Sequence, residues 1–320
     1  VPSELLDVNY GAAARAYLSE RVTLRRIHRF AATETQFGDA LVTSAVIAFE
    51  KRIPDPRHQA LLTRGGSLEA PEVAERVEVE RLRGSTRWAR FPAREPGETS
   101  PDGLRLGDLF TIQRGIATGS NAFFILRSDA LSARGIPREF LRPILPSPRH
   151  LTDEVIEADD DGFPRLERSL VLVDCDRPEA ELRDRAPGLA DYIAEGRARG
   201  LAERYLASRR TPWYAQERRA PAPFVCTYMA RPREGASPFR FFWNRSRATA
   251  PNVFLLLYPR GPLQDRLLER PELHARIFAH LRTIPARSFA GEGRIYGGGL
   301  HKIEPRELAR LPVEDWDLET

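Results

Sequence analysis

Apolar positions change phase several times along this chain, and each change marks an element. Residues 16–30, AYLSERVTLRRIHRF, read as the end of a helix running into a strand. Residues 40–50, ALVTSAVIAFE, form a β-branched, mostly apolar run of the kind that fills a buried central strand. The polar segment AATETQFGD separates the two. A helix followed by two strands split by a loop predicts the closing portion of an α/β sheet. PDPRHQ at 54–59 interrupts the pattern, and EVAERVEVERLRG at 72–84 then reads as a charged helix.

Residues 92–103, PAREPGETSPDG, are rich in proline, glycine and acidic side chains and mark a linker. The expected division is therefore residues 1–91, a linker at 92–103, and a second domain at 104–320. LRLGDLFTIQRGIATGSNAFFIL predicts strand-like runs separated by glycine-rich turns, and ERSLVLVDCD predicts a strand. ADYIAEGRARGLAERYLASRR, 190–210, reads as one long basic helix. APFVCTYMAR, FRFFWN and VFLLLY predict three apolar strands, with a helix from about Pro262 to Leu281. No repeat of 20–50 residues is visible. The second domain is expected to be mixed α+β.

Composition narrows the class. A 42% apolar and 29% charged chain of 320 residues supports a sizeable core. No run approaches about 18 apolar residues, and no basic segment precedes an apolar one as in a secretory signal. The first residues, VPSELLDVNYG, read as if already mid-domain. Cys175 and Cys226, the only cysteines, lack CxxC spacing. This argues for a reducing compartment, with the cytoplasm expected, and against structural zinc. Of 49 basic residues only Lys51 and Lys302 are lysine, leaving 47 arginines, a bias that GC-rich coding explains as simply as function does. A net charge of +4 permits a polyanionic partner without requiring one. The six histidines are scattered, and Asp159, Asp160 and Asp161 read as a solvated turn, so no metal site is expected. Neither a GxSxG elbow nor a PD…D/ExK pattern occurs.

Three segments carry candidate chemistry. GIATGSN, 115–121, with Arg114 just ahead of it, offers backbone N–H groups and the side chains of Thr118 and Ser120 to phosphate, and Asn121 to phosphate or adenine. The same residues are what a tight turn uses. ERYLASRRTPWYAQERR, 203–219, interleaves Arg204, Arg209, Arg210, Arg218 and Arg219 with Tyr205, Trp213 and Tyr214. It reads either as a nucleic-acid surface or as a solvated helix face, with Trp213 anchoring the next strand. In YGGGLHKIEPREL, 296–308, Gly298 and its neighbours bare the backbone for a polyanion, with His301 and Lys302 at the edge, or let two strands pack closely. Pro305 suits the first turn of a following helix.

Five stretches in order resemble one family: VPSELLDVNYGAAARAYLSERVTLRRIHRF, QFGDALVTSAVIAFEKR, GIATGSNAFFIL, RRTPWY and YGGGLHKIEPREL. Together they resemble the C-terminal half of adenine-specific DNA methyltransferases, including fused restriction–modification enzymes. The resemblance implies the last strands of a Rossmann-like catalytic sheet in residues 1–91 and a DNA-binding target-recognition domain in 104–320. It implies that Phe37, in QFGD, stacks on the flipped target base, replacing the stacking the base loses on leaving the duplex. The family's glycine-rich loop for S-adenosylmethionine and its Asn/Asp-Pro-Pro-Tyr/Phe motif do not occur in this chain. The chain alone is therefore expected to be inactive, with no catalytic residue of its own. Its expected partners are double-stranded DNA and an upstream segment or subunit that binds S-adenosylmethionine. A stand-alone specificity or scaffold subunit, which binds a methyltransferase or nuclease without catalysis, is the alternative. A fragment without retained activity is a third reading.

Overall fold

The computed structural model describes residues 1–7, 9–31, 34, 36–37, 42–88, 91–92, 103–128, 134–231, 237–289, 292–296 and 299–313. In chain order the elements are α1 (Ala12–Glu20), β1 (Thr23–Arg29), β2 (Ala45–Glu50), β3 (Gln59–Gly66), β4 (Pro71–Glu78), α2 (Val79–Arg83), α3 (Leu106–Leu109), β5 (Phe110–Arg114), α4 (Asn121–Phe124), β6 (Ile125–Arg127), β7 (Leu141–Pro143) and β8 (Val155–Ile156). They continue with β9 (Leu170–Val173), α5 (Glu179–Arg185), α6 (Pro187–Ala198), β10 (Phe224–Thr227), β11 (Met229–Ala230), β12 (Phe241–Asn244), β13 (Phe254–Pro259), α7 (Pro262–Glu269), α8 (Leu273–Thr283), β14 (Arg294–Tyr296), β15 (Leu300–Lys302) and α9 (Pro305–Leu308). Two compact units result: Val1–Gly103 with Arg231–Gly235 and Gly293–Lys302, and Leu104–Ala230 with Ala236–Glu292 and Ile303–Thr320. Residues 293–302 thus group with the first unit rather than with the rest of 104–320.

The first unit contains a mixed sheet in the order β2-β1-β3-β4. β1 and β3 are parallel, while β2 and β4 pair antiparallel at the edges. Leu18, Leu24, Ile27, Leu62, Val77, Leu82 and Trp88 fill its core, where the Trp88 indole N–H donates to the Leu82 carbonyl at 2.8 Å. Two expectations are corrected here. The run ending at Glu50 is an edge strand, not a central one: Ala45 is buried, but Val46 and Phe49 are exposed. EVAERVEV is mostly strand β4, because Val73, Glu75, Val77 and Val79 alternate on the inward face and the helix starts only at Val79. β14 and β15 pair as an antiparallel hairpin, with Arg294 opposite Lys302 and Ile295 opposite His301.

The second unit is mixed α+β, as expected. Its five-stranded sheet runs β5-β13-β10-β12-β8. Both faces are buried: Phe224, Cys226, Leu255 and Leu257 pack on one side with Leu263, Ile277 and Leu281 of the helices, while Val225, Phe242, Phe254 and Leu256 form a second core. Burial on two faces is why these strands read as unbroken apolar runs. A separate sheet, β6-β9-β7, packs with α5 and α6 around Leu172, Leu182, Leu189 and Ile193.

Two long helices of the sequence reading are shorter. α6 stops at Ala198, where Gly200 takes φ +69°, a left-handed conformation that ends helices. Pro271, which lacks an N–H, separates α7 from α8. α9 starts with Pro305 at its first turn, and the Glu304 N–H donates to the Glu307 carboxylate at 2.9 Å. Among the described residues no helix is long and apolar enough to cross a membrane, and no group of three His, Cys, Asp or Glu side chains could hold a metal ion. The Asp159 carboxylate caps its own turn, accepting from the N–H groups of Asp161 and Phe163.

Candidate nucleic-acid interface

Loop 115–121 leaves the edge strand β5 under tight constraint. The Gly115 N–H donates to the Phe254 carbonyl at 3.0 Å, and the Ile116 N–H to that of Ala250 at 2.9 Å. A Cβ on Gly115 would lie 2.3 Å from the Pro251 carbonyl oxygen, so only glycine fits this approach. The loop then closes on itself. The Thr118 hydroxyl, 1% exposed, donates to Asn121 Oδ1 at 2.7 Å and accepts from the Ser120 N–H at 3.1 Å. Thr118 is therefore an internal strut and not a phosphate ligand. Asn121 is exposed, but its carbonyl oxygen already holds Thr118, which opposes a bidentate grip on adenine. Ser120 is half-buried at the loop surface.

A second segment locks onto this loop. Past Gly200 the chain turns through Arg204–Leu206 into a short 3-10 turn, Ala207–Arg209. Arg210 donates to the carbonyls of Ala117 at 2.6 Å and Thr118 at 3.1 Å, and to Gln216 Oε1 at 3.2 Å. Burial lowers its pKa from the ordinary arginine value. Arg210 is thus a clamp, with Nη1 and Nη2 both engaged within the chain. Leu206 Cβ would lie 3.5 Å from a Cβ on Gly119, so loop and turn abut.

Exposed on this joined surface are Arg204, Tyr205 and Arg209. Tyr205 is 68% exposed, and the Arg209 guanidinium lies 4.3 Å from its ring centroid, a cation–π pair. Arg204 reaches the Gly119 carbonyl at 3.5 Å. Arg114 is also exposed, but it donates to the Asn252 carbonyl at 3.1 Å and covers the Tyr228 ring at 4.1 Å.

Trp213 and Tyr214 are corrected outright. They are 7% and 2% exposed, in the core with Phe123 and Phe124, so neither ring can stack on or wedge between bases. The Tyr214 hydroxyl donates to the Arg177 carbonyl at 2.5 Å, and burial pushes its pKa up to about 12. Their function is to anchor the segment that carries the turn. Tyr205, within the same basic stretch, is the aromatic the structure leaves outside. A sequence signal for it was present: it follows the helix-ending Gly200, whereas Trp213 follows Pro212 into a strand-bound segment.

The remaining candidates lie in the first unit. Phe37 is 40% exposed in the segment between β1 and β2. His301 and Lys302 are half-buried in β15, and burial lowers the His301 pKa. They therefore belong to a strand and not to the tip of a loop. Gly298 lies outside the described residues.

Residues 98–319 match the family described as Type II methyltransferase M.Eco57I, C-terminal domain. The chain belongs to this family. Two curated type II methyltransferases are similar to it over nearly its whole length. M.XamI of Xanthomonas campestris pv. amaranthicola is 29% identical over 314 residues, which cover 97% of this chain and 55% of the relative. M.AccI of Acinetobacter calcoaceticus is 25% identical, covering 99% of this chain and 58% of the relative. The chain thus spans little more than half the length of these relatives. Among solved structures, the type IIL restriction-modification enzyme MmeI in complex with DNA is 11% identical with a TM-score of 0.45, covering 81% of this chain and 32% of that one. The type IIG restriction endonuclease BpuSI is 15% identical with a TM-score of 0.37, covering 97% and 39%. In this member of the family, the joined loop and turn of the second unit present Arg204, Tyr205 and Arg209 on one exposed surface.

Proposed function

We propose that this chain is the DNA-binding, target-recognition part of a site-specific adenine DNA methyltransferase that uses S-adenosylmethionine. The observation that carries the reading is the surface made by loop 115–121 and turn 204–210, in a chain of this family. There Arg210 holds the loop from within while Arg204, Tyr205 and Arg209 stand exposed. Arginines of this kind grip phosphate, and an exposed ring flanked by guanidinium groups stacks on a base. Clamping the loop beforehand lowers the ordering cost of binding.

In this reading the first unit is the closing part of a Rossmann-like sheet, supported by the parallel β1 and β3 with antiparallel β2 beside them. Phe37, partly exposed after β1, stacks on the extruded adenine. The S-adenosylmethionine site and the Pro-Pro catalytic motif belong to a further segment or subunit, in keeping with relatives nearly twice as long. Mixing this chain with such a segment and assaying methyl transfer to adenine is the test. Transfer from the mixture but from neither part alone supports the reading; none from a folded, DNA-binding mixture rejects it.

One observation favours a second reading, a specificity or scaffold subunit without catalysis. Val46 and Phe49 of edge strand β2 are exposed, with Tyr17 against Phe49 and Ile53 nearby in sequence, and such an edge calls for cover by a partner. A stable complex with a methyltransferase or nuclease subunit that is already active without this chain would favour it.

A further inference from the structure

We propose that the second unit holds a phosphate-binding cleft where β13 leaves the five-stranded sheet. The cleft, about 580 Å³, falls within the range of small-ligand sites. No residue of loop 115–121 or turn 204–210 lines it, so the inference stands apart from the proposed DNA surface.

Three arginines converge here for topological reasons. Tyr258 of β13 sits opposite Thr111 of β5, and the next turn brings the Arg260 N–H to the Leu109 carbonyl at 3.0 Å. The segment ahead of β10 carries Arg218 and Arg219 into the same wall, where the Tyr258 hydroxyl donates to the Ala220 carbonyl at 2.7 Å. None of the described residues lining the cleft is acidic. Two carboxylates offset the arginines from outside it: Asp176 pairs with Arg218 at 2.5 Å and Glu217 with Arg219 at 3.2 Å. Arg260 is exposed, and its partner is a neutral one, the Asp108 carbonyl at 3.3 Å. Three guanidinium charges therefore face two paired carboxylates, leaving a fixed excess of positive charge.

Arg219 is held in place by two partners, its Nη1 donating to Gln113 Oε1 at 2.8 Å and its Nη2 to the Glu217 carboxylate at 3.2 Å. Oxygens of a phosphate match a guanidinium fork better than any single-point acceptor. Leu267, the exposed Leu268 and the Tyr258 ring supply an apolar wall, which suits a phosphate carried on a nucleoside rather than a bare ion. The ligand is thus a nucleotide phosphate, either free or within a DNA strand.

The test uses the full chain with Arg260→Ala and Arg219→Lys, each checked for wild-type melting. Two probes separate the sources: adenosine 5′-monophosphate by calorimetric titration, and a duplex with a randomised centre by anisotropy across salt. Nucleotide binding weakened about tenfold or more in the variants assigns the cleft to a free nucleotide. No nucleotide binding, but duplex binding weakened with a salt slope shallower by about 0.9 for Arg260→Ala, assigns it to a strand phosphate. Should Arg219→Lys fold poorly, Arg260→Ala carries the test alone, since its side chain is exposed. Unchanged binding of both probes in the folded variants overturns the proposal while leaving the loop-and-turn surface standing. Nucleotide binding lost in the variants, with no duplex binding by the wild type, supports the cleft and rejects the DNA reading.

Discussion

Between Arg204 and Tyr214 the chain carries two halves that both combine arginine with aromatic side chains, with opposite structural fates. In the first, Arg204, Tyr205 and Arg209 face outward around the short turn at Ala207. In the second, Arg210 is tied to backbone carbonyls, and Trp213 and Tyr214 fill a core. Arginine interleaved with aromatic residues is therefore not a binding signature in itself. The same residue types stay open to a ligand where the backbone turns on the surface, and give support where it dives beneath it.

Substitutions can break that contrast. The largest effect belongs to Trp213→Ala, which should cost about 3–5 kcal/mol by urea denaturation, whereas Tyr205→Ala should change stability by no more than about 0.5 kcal/mol. Equal losses would erase the distinction. Gly115→Ala forces a Cβ against the Pro251 carbonyl and should destabilise the chain by about 1–3 kcal/mol in thermal melts.

Arg210→Ala strands the Ala117 and Thr118 carbonyls and should cost about 1–3 kcal/mol. Arg210→Lys keeps the charge but lacks the fork, and should not restore stability. Tyr205→Ala should weaken duplex binding by about 5- to 150-fold, as loss of one stacked base does, with Tyr205→Phe close to wild type. The smallest effect is that of Arg209→Ala, a salt slope shallower by about 0.9 with the fold intact.

Much of the fold was legible because apolar phase and turn residues agreed. The helix–strand start at 16–30, the strands around Val225, Phe242 and Leu256, and Pro305 opening α9 all rest on such agreement. The misreadings share one cause: a residue type was weighed without its neighbours in space. Glutamates in EVAERVEV suggested a helix, yet Val73, Glu75 and Val77 recur with period two on one face of β4. The apolar run before Glu50 suggested a central strand, but the sheet places it at an edge. At the candidate site, loop 115–121 was identified by its glycines and short polar side chains. That Arg210 clamps it depends on a contact across more than 90 residues, which no local pattern encodes. The cleft containing Arg219 and Arg260 likewise joins segments remote in sequence.

The central claim is that the exposed half of this stretch grips duplex DNA. Its most direct test is the affinity of the intact chain for duplex DNA across salt concentration, beside that of the Arg204→Ala, Arg209→Ala double variant. The account predicts a logarithmic plot that falls linearly for the wild type, and a slope shallower by about 1.8 in a variant that remains folded. A flat plot, or identical slopes for both proteins, would contradict it.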